Sequence, residues 1–271
     1  MSIRYYRLDL ITIKIIAILM SRDKVNLNRE VNAEIEEYEK KKFMSKRKSG
    51  ITKDEFDKCG VQLTPKQDEL YKGIKNNTLT VIHGPAGTSK TFTACYTALG
   101  LLANKKIQKI VITKPIQESG EQLGHLPGSI SEKTEPFMKS YISNFSKIIG
   151  SSNVEFLLST DEISVEPLAY MRGSTYDDCI MLLDECQNAS MKQLMLWSTR
   201  LGKNSKMVMM GDTSQYDVRR RDSGFTDFIS MVDGMSDLLS FQFLNEDIVR
   251  NKFLIELTNR YDKYRSENEE K

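Results

Sequence analysis

Five short apolar runs, separated by segments with helical spacing, indicate an α/β protein. The runs are Leu79–His83, 110–113, 180–183, 207–210 and 241–244, and the helix-like segments between and after them are 92–103, 190–200, 223–233 and 247–264. Runs of four consecutive apolar residues are typical of strands buried on both faces. We therefore expect a mostly parallel sheet with helices on both faces, and ligands at the carboxyl ends of its strands.

A helix-start signal precedes the first apolar run. Thr64 is a good N-cap, Pro65 suits the first helical position, and Gln67 follows the cap by three residues. This capping-box pattern is by itself a sufficient structural explanation for Gln67.

The segment that follows the first run is typical of a phosphate-binding P-loop. It consists of Gly84, Pro85, Ala86, Gly87, Thr88, Ser89, Lys90 and Thr91, and it leads into a helix-like stretch. In a strand–loop–helix of this kind, backbone amides and the positive end of the helix dipole face an anion. Lys90 is then expected to reach phosphates, and the Thr91 hydroxyl to bind Mg²⁺. The structural alternative is a Gly/Pro/Ser turn without a ligand.

One position of the loop departs from the usual pattern. Glycine normally precedes the lysine, whereas Ser89 stands there in this chain. A side chain is tolerated at negative φ, but it costs about 1 kcal/mol if the backbone must be left-handed.

Acidic and polar residues follow later strands. Asp184 comes directly after the run at 180–183, where a carboxylate binds Mg²⁺, and the neighbouring Glu185 can activate an attacking water. A water-activating glutamate favours a hydrolase over a kinase that must exclude water. Gln215, after the run at 207–210, can sense the terminal phosphate. Arg200, Arg250 and the run at 219–221 are the candidates for stabilising the transferred phosphoryl group.

The basic excess is concentrated in an N-terminal extension. Residues 1–50 contain 12 Lys/Arg and 7 Asp/Glu, whereas the whole chain has 39 and 37. We expect an apolar partner-binding segment at 8–20, with a targeting signal as the alternative, and a charged helix at 26–42. The lysine-rich residues 40–48 are interpreted either as nucleic-acid phosphate contacts or as a solvated linker.

The remaining composition indicates a cytoplasmic globular protein. The length of 271 residues suffices for one large α/β core. The four cysteines form no CxxC pair and the two histidines lie far apart, so we expect reduced thiols and no structural zinc site. The apolar segment at 8–20 is too short to span a bilayer, and no integral membrane role is expected.

Several motifs, in order, resemble the PhoH family of P-loop ATPases. The matching stretches are GPAGTSKT, ITKPIQESGEQLGHLPG, EPLAYMRGSTYDDCIMLLDECQNAS, TRLGKNSKMVMMGDTSQYDV, and the later SGF and EDIVR, which together cover residues 60–262 approximately. The departures from the family pattern are Ser89 for glycine, Cys186 for alanine, and the basic extension.

The resemblance implies a fold, a cofactor and roles for particular residues. The fold is that of the first motor domain of superfamily 1 helicases, and the cofactors are ATP and Mg²⁺. Gln67 becomes an adenine-side contact, Asp184 and Glu185 the Walker B pair, and Gln215 the γ-phosphate sensor; Arg250 lies in the EDIVR stretch and is expected to reach a neighbouring subunit's nucleotide. The implied partners are RNA or another single-stranded nucleic acid and further copies of the chain, including a hexameric ring.

The sequence therefore predicts an extension at 1–50, an ATPase domain at 51–265 and a charged tail at 266–271. Two functional alternatives stay open beside ATP hydrolysis. One is a nucleotide-gated assembly or binding module with little turnover, which Ser89 motivates. The other is a P-loop phosphotransferase, against which the Asp184–Glu185 pair argues.

The basic extension generates a first testable prediction. Deleting residues 1–50 should weaken single-stranded RNA binding and flatten its dependence on salt, because each lost phosphate contact removes about one unit of the log–log slope. Fluorescence anisotropy over a salt series measures that slope. An unchanged slope in the truncated protein would identify residues 40–48 as a solvated linker.

Overall fold

The computed structural model describes residues 50–115, 130–213 and 223–269. Residues 50–271 group into one unit by their contacts. The expected segments at 8–20, 26–42 and 40–48, together with Gln215 and the arginines at 219–221, lie outside the described residues.

The described strands form one six-stranded sheet in which every pairing is parallel. Its order is β3-β2-β4-β5-β1-β6. The strands are β1 (Leu79–His83), β2 (Lys109–Thr113), β3 (Ile163–Val165), β4 (Cys179–Leu183), β5 (Lys206–Gly211) and β6 (Leu238–Gln242). This arrangement confirms the predicted α/β class.

Eight α-helices are described alongside the sheet. They are α1 (Lys53–Asp57), α2 (Pro65–Asn76), α3 (Lys90–Ala103), α4 (Ile130–Ile149), α5 (Ser151–Ser159), α6 (Met191–Ser198), α7 (Phe225–Val232) and α8 (Lys252–Glu269). Short 3₁₀ helices occupy Leu168–Tyr170, Cys186–Asn188 and Asn245–Asp247. Within these described parts, we find no helix with the length and apolarity needed to cross a membrane.

Alternation along each strand explains why helices cover both faces of the sheet. On β1, Val81 belongs to a buried cluster with Trp197 of α6 and Phe225 of α7. The neighbouring Ile82 is also fully buried, and it points to the opposite face because side chains alternate along a strand. On that second face, α2 contacts β1 and β6, and α3 contacts β2 and β5. Burial on both faces is why the strands read as continuous apolar runs.

The helix-start signal is confirmed in detail. The Thr64 hydroxyl accepts a hydrogen bond from the Gln67 N–H (3.3 Å), and Gln67 Oε1 accepts one from the Thr64 N–H (3.0 Å). Pro65 occupies the first position of α2. Two of the backbone donors at the helix end are thereby satisfied.

Several elements differ from the sequence-based expectation, among them helices α1, α4 and α5, which were not predicted. The last strand was expected at 241–244 but spans Leu238–Gln242. It is an edge strand in which only Phe241 is buried, so it does not form a continuous apolar run in the sequence. The three-residue β3 was not predicted at all. Helix α8 continues to Glu269, so the expected boundary between domain and tail at 265 falls inside a helix. An ion pair one turn apart, Lys263–Glu267 (3.9 Å), supports that last part.

Candidate functional site

The loop after β1 is shaped by two glycines in positive-φ conformations. Gly84 has φ 138°, and a Cβ there would lie 2.3 Å from the Phe243 carbonyl oxygen. Gly87 has φ 88°, and its carbonyl accepts a hydrogen bond from the Val249 N–H (3.1 Å). Larger residues would strain both positions, and at Gly84 they would also collide with the backbone. The loop therefore takes the tight path that the P-loop pattern predicts.

Ser89 is left-handed, with φ 67° and ψ 30°, and it directly precedes α3. Its carbonyl accepts hydrogen bonds from the N–H and the hydroxyl of Thr93, each at 2.9 Å. The left-handed region is the one that a β-carbon disfavours. The usual glycine at this position has a physical reason here, and the serine costs conformational energy.

Lys90 and Thr91 open the first turn of α3. The Lys90 ammonium donates to the carbonyl oxygens of Gly84 (2.6 Å) and Pro85 (2.9 Å), so the lysine curls back over the loop. Burial lowers the pKa of Lys90, and the nearby carboxylates, Asp212 foremost, raise it. A phosphate group in the loop would meet both this cation and the amino end of the helix.

Asp184 follows β4 and faces the first turn of α3. Its Oδ2 accepts a hydrogen bond from the Thr91 hydroxyl (3.1 Å), and its Oδ1 accepts one from the Glu185 N–H (3.1 Å). Burial raises the pKa of Asp184, the cation of Lys114 lowers it, and the Glu185 carboxylate raises it again. A hydroxyl and a carboxylate are the oxygen donors that Mg²⁺ takes from protein, with phosphates and waters completing its octahedron. Thr91 and Asp184 therefore fit the ion that the sequence predicts.

Glu185 has a left-handed backbone conformation, φ 58°, and its carboxylate is positioned by a hydrogen bond. Gln187 donates through Nε2 to Glu185 Oε2 (2.8 Å) and accepts through Oε1 from the Asp212 N–H (3.0 Å). Gln187 is buried, so it ties the end of β4 to the end of β5. Sequence reasoning did not single out Gln187, although its place two residues after Glu185 in a strand-end turn was a usable signal.

These elements surround one cavity of about 460 Å³, a size typical of small-molecule sites. Four cationic side chains and three carboxylates line it, which suits a polyanion that arrives with a divalent cation. The lining residues are Ala86, Gly87, Ser89, Lys90, Thr91, Phe92, Lys114, Ser140, Asn144, Lys147, Asp184, Glu185, Gln187, Gly211, Asp212 and Arg250.

The wall opposite the P-loop was not anticipated. It comes from α4, whose residues Ser140, Asn144 and Lys147 lie on one face at spacings of four and three. The other face of α4 buries Tyr141 and Phe145 in the core. The signal available in the sequence was this amphipathic pattern, which does not distinguish a cavity wall from a solvated face.

The two candidate arginines lie in different places. Arg250 is exposed and lines the cavity of its own chain; that it reaches a neighbouring subunit's nucleotide stays a prediction. Arg200 is not among the lining residues. Its guanidinium donates instead to the carbonyls of Leu196 (3.2 Å) and Ser174 (3.1 Å). The structure therefore brings Arg250, but not Arg200, to the predicted site.

Gln67 also stays apart from this cavity. Its side chain is buried and serves the capping box of α2, and it is absent from the lining. Within the described parts of the chain, no three or more His, Cys, Asp or Glu side chains are grouped to hold a metal ion, so the predicted Mg²⁺ position depends on Thr91, Asp184 and the ligand's own oxygens.

The parallel sheet, the tight loop after its first strand and the carboxylates facing that loop define a domain of the P-loop NTPase class. The PhoH-like protein family model matches residues 61–262. The chain belongs to the PhoH family, and the resemblance seen in its motifs is confirmed.

Individual relatives agree with this assignment. The chain is 36% identical over 222 residues to a PhoH-like protein of Bacillus subtilis, covering 82% of this chain and 70% of the relative. It is 34% identical over 218 residues to a PhoH-like protein of Mycobacterium bovis (79% and 62%), and 30% identical over 207 residues to Protein PhoH of Escherichia coli (74% and 58%). The chain thus spans only part of each relative.

Among solved structures, two helicases match at low sequence identity. The Hef helicase domain of Pyrococcus furiosus matches with a TM-score of 0.40 at 12% identity, covering 65% of this chain and 37% of that one. The Pif1 helicase of Candida albicans matches with a TM-score of 0.34, also at 12% identity, covering 68% and 40%.

The left-handed serine generates a second prediction. Ser89→Gly should raise the free energy of unfolding by up to about 1 kcal/mol, because glycine adopts this conformation without a Cβ penalty. The loop needs the same conformation to direct its amides at an anion, so nucleotide affinity should stay within about twofold. Urea denaturation and titration calorimetry measure the two quantities.

Lys105→Gly is the matched control, because Lys105 is also left-handed, with φ 56°, and lies beyond the far end of α3. It should give a similar gain in stability and leave nucleotide binding unchanged. A Ser89→Gly protein that is no more stable, or that binds ATP far more tightly, would contradict this account of the serine.

Proposed function

We propose that this chain binds ATP with Mg²⁺ and hydrolyses it, and that hydrolysis is coupled to binding or remodelling of RNA or another single-stranded nucleic acid. The observation that carries the proposal is the direct contact between the P-loop helix and the Walker B strand end. The Thr91 hydroxyl donates to Asp184 at 3.1 Å, while Lys90 and Glu185 line the same cavity. The site thus combines an anion-binding loop with a carboxylate next to it.

The proposed roles follow from what each side chain offers. Lys90 exchanges its bonds to the loop carbonyls for the inner phosphates, and Thr91 with Asp184 binds the metal ion. When bound, Mg²⁺ would offset the negative charge that develops on the phosphoryl group during transfer. Glu185, held by Gln187 at 2.8 Å, accepts a proton from the attacking water. Arg250 stabilises charge on the transferred group, and Gln215 senses the terminal phosphate.

Nucleic acid and self-assembly enter the proposal through other observations. The lysine-rich residues 40–48 offer cations for backbone phosphates, which bind without regard to sequence. Membership of the PhoH family favours RNA as the nucleic acid and a homo-oligomer, with a hexameric ring as one form. We further propose a cytoplasmic location, the adenine contact for Gln67, and the domain division at residue 50.

A second candidate function is a nucleotide-gated assembly module with little turnover. Its support is the strained Ser89 together with the capture of the Lys90 ammonium by two loop carbonyls. The two candidates share nucleotide binding and differ only in phosphate release.

Substitutions in the two halves of the site should separate binding from chemistry. Lys90→Ala should abolish ATP binding, since the phosphates lose their main cation. Glu185→Gln should retain binding and lower turnover about 10²–10⁴-fold if Glu185 is the general base. Calorimetry and phosphate release, each with and without RNA, measure the two steps.

Gln108→Glu provides a matched control, because Gln108 lies before β2 and is not in the cavity lining. It should behave as the native chain in both assays. Wild-type phosphate release by Glu185→Gln would remove Glu185 from the mechanism, and tight binding without release in the native chain would favour the assembly module.

Arg250 yields a test of whether the site is complete within one chain. Because the arginine lines its own cavity, Arg250→Ala should bind ATP normally and hydrolyse it about 10³-fold or more slowly if it stabilises the transition state as arginine fingers do. Mixing it with Glu185→Gln should restore no activity, since neither chain then has both residues. Arg200→Ala should keep its turnover per folded molecule.

Recovery of activity in the mixture would mean that Arg250 acts across a subunit interface. In that case activity per chain should also rise with protein concentration, as a head-to-tail oligomer forms. Phosphate release of the mixture over a dilution series distinguishes the two arrangements.

A further inference from the structure

Lys114 occupies a position in the cavity that the proposed roles leave unexplained. It follows β2, and its ammonium lies 3.9 Å from Oδ2 of Asp184, with only 17% of the lysine side chain and 9% of the aspartate side chain exposed. The ammonium also lies 5.9 Å from the centroid of the Tyr141 ring, which is fully buried. The cation is therefore held between a carboxylate and an aromatic face.

This ion pair involves the carboxylate that is expected to bind the metal. Oδ1 of Asp184 accepts from the Glu185 N–H, while Oδ2 already accepts from the Thr91 hydroxyl and faces Lys114. A divalent cation at Asp184 would compete with the Lys114 ammonium for the same oxygen. Two cations at one carboxylate repel each other, so binding of the metal should release the lysine.

A released Lys114 ammonium can pair with a phosphate group bound in the same cavity. The P-loop residues and Lys90 line this cavity, and so does Lys114, which follows β2 and contacts Tyr141 of α4. Because the loop is expected to hold the inner phosphates, the terminal phosphate of a bound triphosphate would lie nearer the carboxylates and Lys114. A diphosphate has no group in that place.

We propose that Lys114 is a residue that discriminates ATP from ADP: it pairs with Asp184 when no metal–nucleotide complex is present, and it binds the terminal phosphate when the metal takes Asp184. This inference depends on the proposed nucleotide binding and adds a specificity element to it.

The test compares a diphosphate with a triphosphate. Titration calorimetry in Mg²⁺ measures the affinities of ADP and of the non-hydrolysable triphosphate AMP-PNP for the full chain. Lys114→Met should weaken AMP-PNP binding about tenfold, as expected for one charge-assisted contact. ADP binding should be unchanged or tighter, since a competitor for Asp184 is lost. Lys114→Arg should retain the preference for the triphosphate.

Lys139→Met is the matched control, because Lys139 lies on α4 but is exposed and absent from the cavity lining. It should bind both nucleotides as the native chain does. Equal weakening of ADP and AMP-PNP by Lys114→Met, or no weakening of either, would overturn the proposal and leave Lys114 as a structural partner of Asp184. A native chain that binds neither nucleotide would instead refute the proposed function.

A thermal melt adds a readout independent of phosphate release. Lys114→Met leaves Asp184 without its cation, so the free protein should melt at a lower temperature, and saturating Mg²⁺ with ADP should recover more of the loss than Mg²⁺ with AMP-PNP does. Equal recovery by the two nucleotides would contradict a contact to the terminal phosphate.

Discussion

The site depends on the parallel pairing of β1, β4 and β5 at the centre of the sheet. In this register His83 lies opposite Gly211, and Leu183 lies opposite Met209. The chain segments that begin at Gly84, Asp184 and Asp212 therefore all leave the sheet at the carboxyl ends of its strands. Antiparallel pairing of any of these strands would move one of the three to the opposite end. The apolar residues that bury the strands thus decide where the polar residues meet.

The same register explains the balance of charge around Asp184. Thr113 pairs with Leu183, so Lys114 and Asp184 follow neighbouring strands as adjacent residues at their ends. Burying a carboxylate is unfavourable unless a cation or hydrogen bonds accompany it. Lys114, the Glu185 N–H and the Thr91 hydroxyl together supply that compensation. A metal–phosphate complex that binds in this cavity would therefore rearrange the existing ion pair between Lys114 and Asp184.

The sequence predicted most of the sheet because burial on both faces leaves an unambiguous apolar run. The same argument explains the error at β6. An edge strand is covered less completely, so the buried Phe243 beyond its end resembled part of the strand, whereas the half-exposed Leu238 and Leu239 within it did not stand out. Edge strands are the elements for which local pattern and tertiary contact disagree most.

The site was predicted to the extent that its residues lie in local motifs. Lys90, Thr91, Asp184 and Glu185 are each tied to a strand end, and a strand end is visible in the sequence. Arg250 was found as a candidate, but its place beside the P-loop of its own chain was not predicted. That place depends on the Val249–Gly87 hydrogen bond, which joins segments far apart in the sequence. The α4 wall was missed for a similar reason, since its polar face resembles a solvated one.

Backbone strain at two positions connects the fold to the chemistry. Ser89 and Glu185 are both left-handed without being glycine. Ser89 lies at the end of the loop after β1, directly before α3, and Glu185 lies in the turn after β4. Such conformations persist only where the surrounding structure determines them. At Ser89 the constraint is the turn into α3, where the Ser89 carbonyl accepts two hydrogen bonds from Thr93; at Glu185 it is the Gln187 bridge between β4 and β5. Because Ser89 keeps the left-handed conformation that glycine favours, the loop can follow the usual phosphate-binding path at a cost in conformational energy.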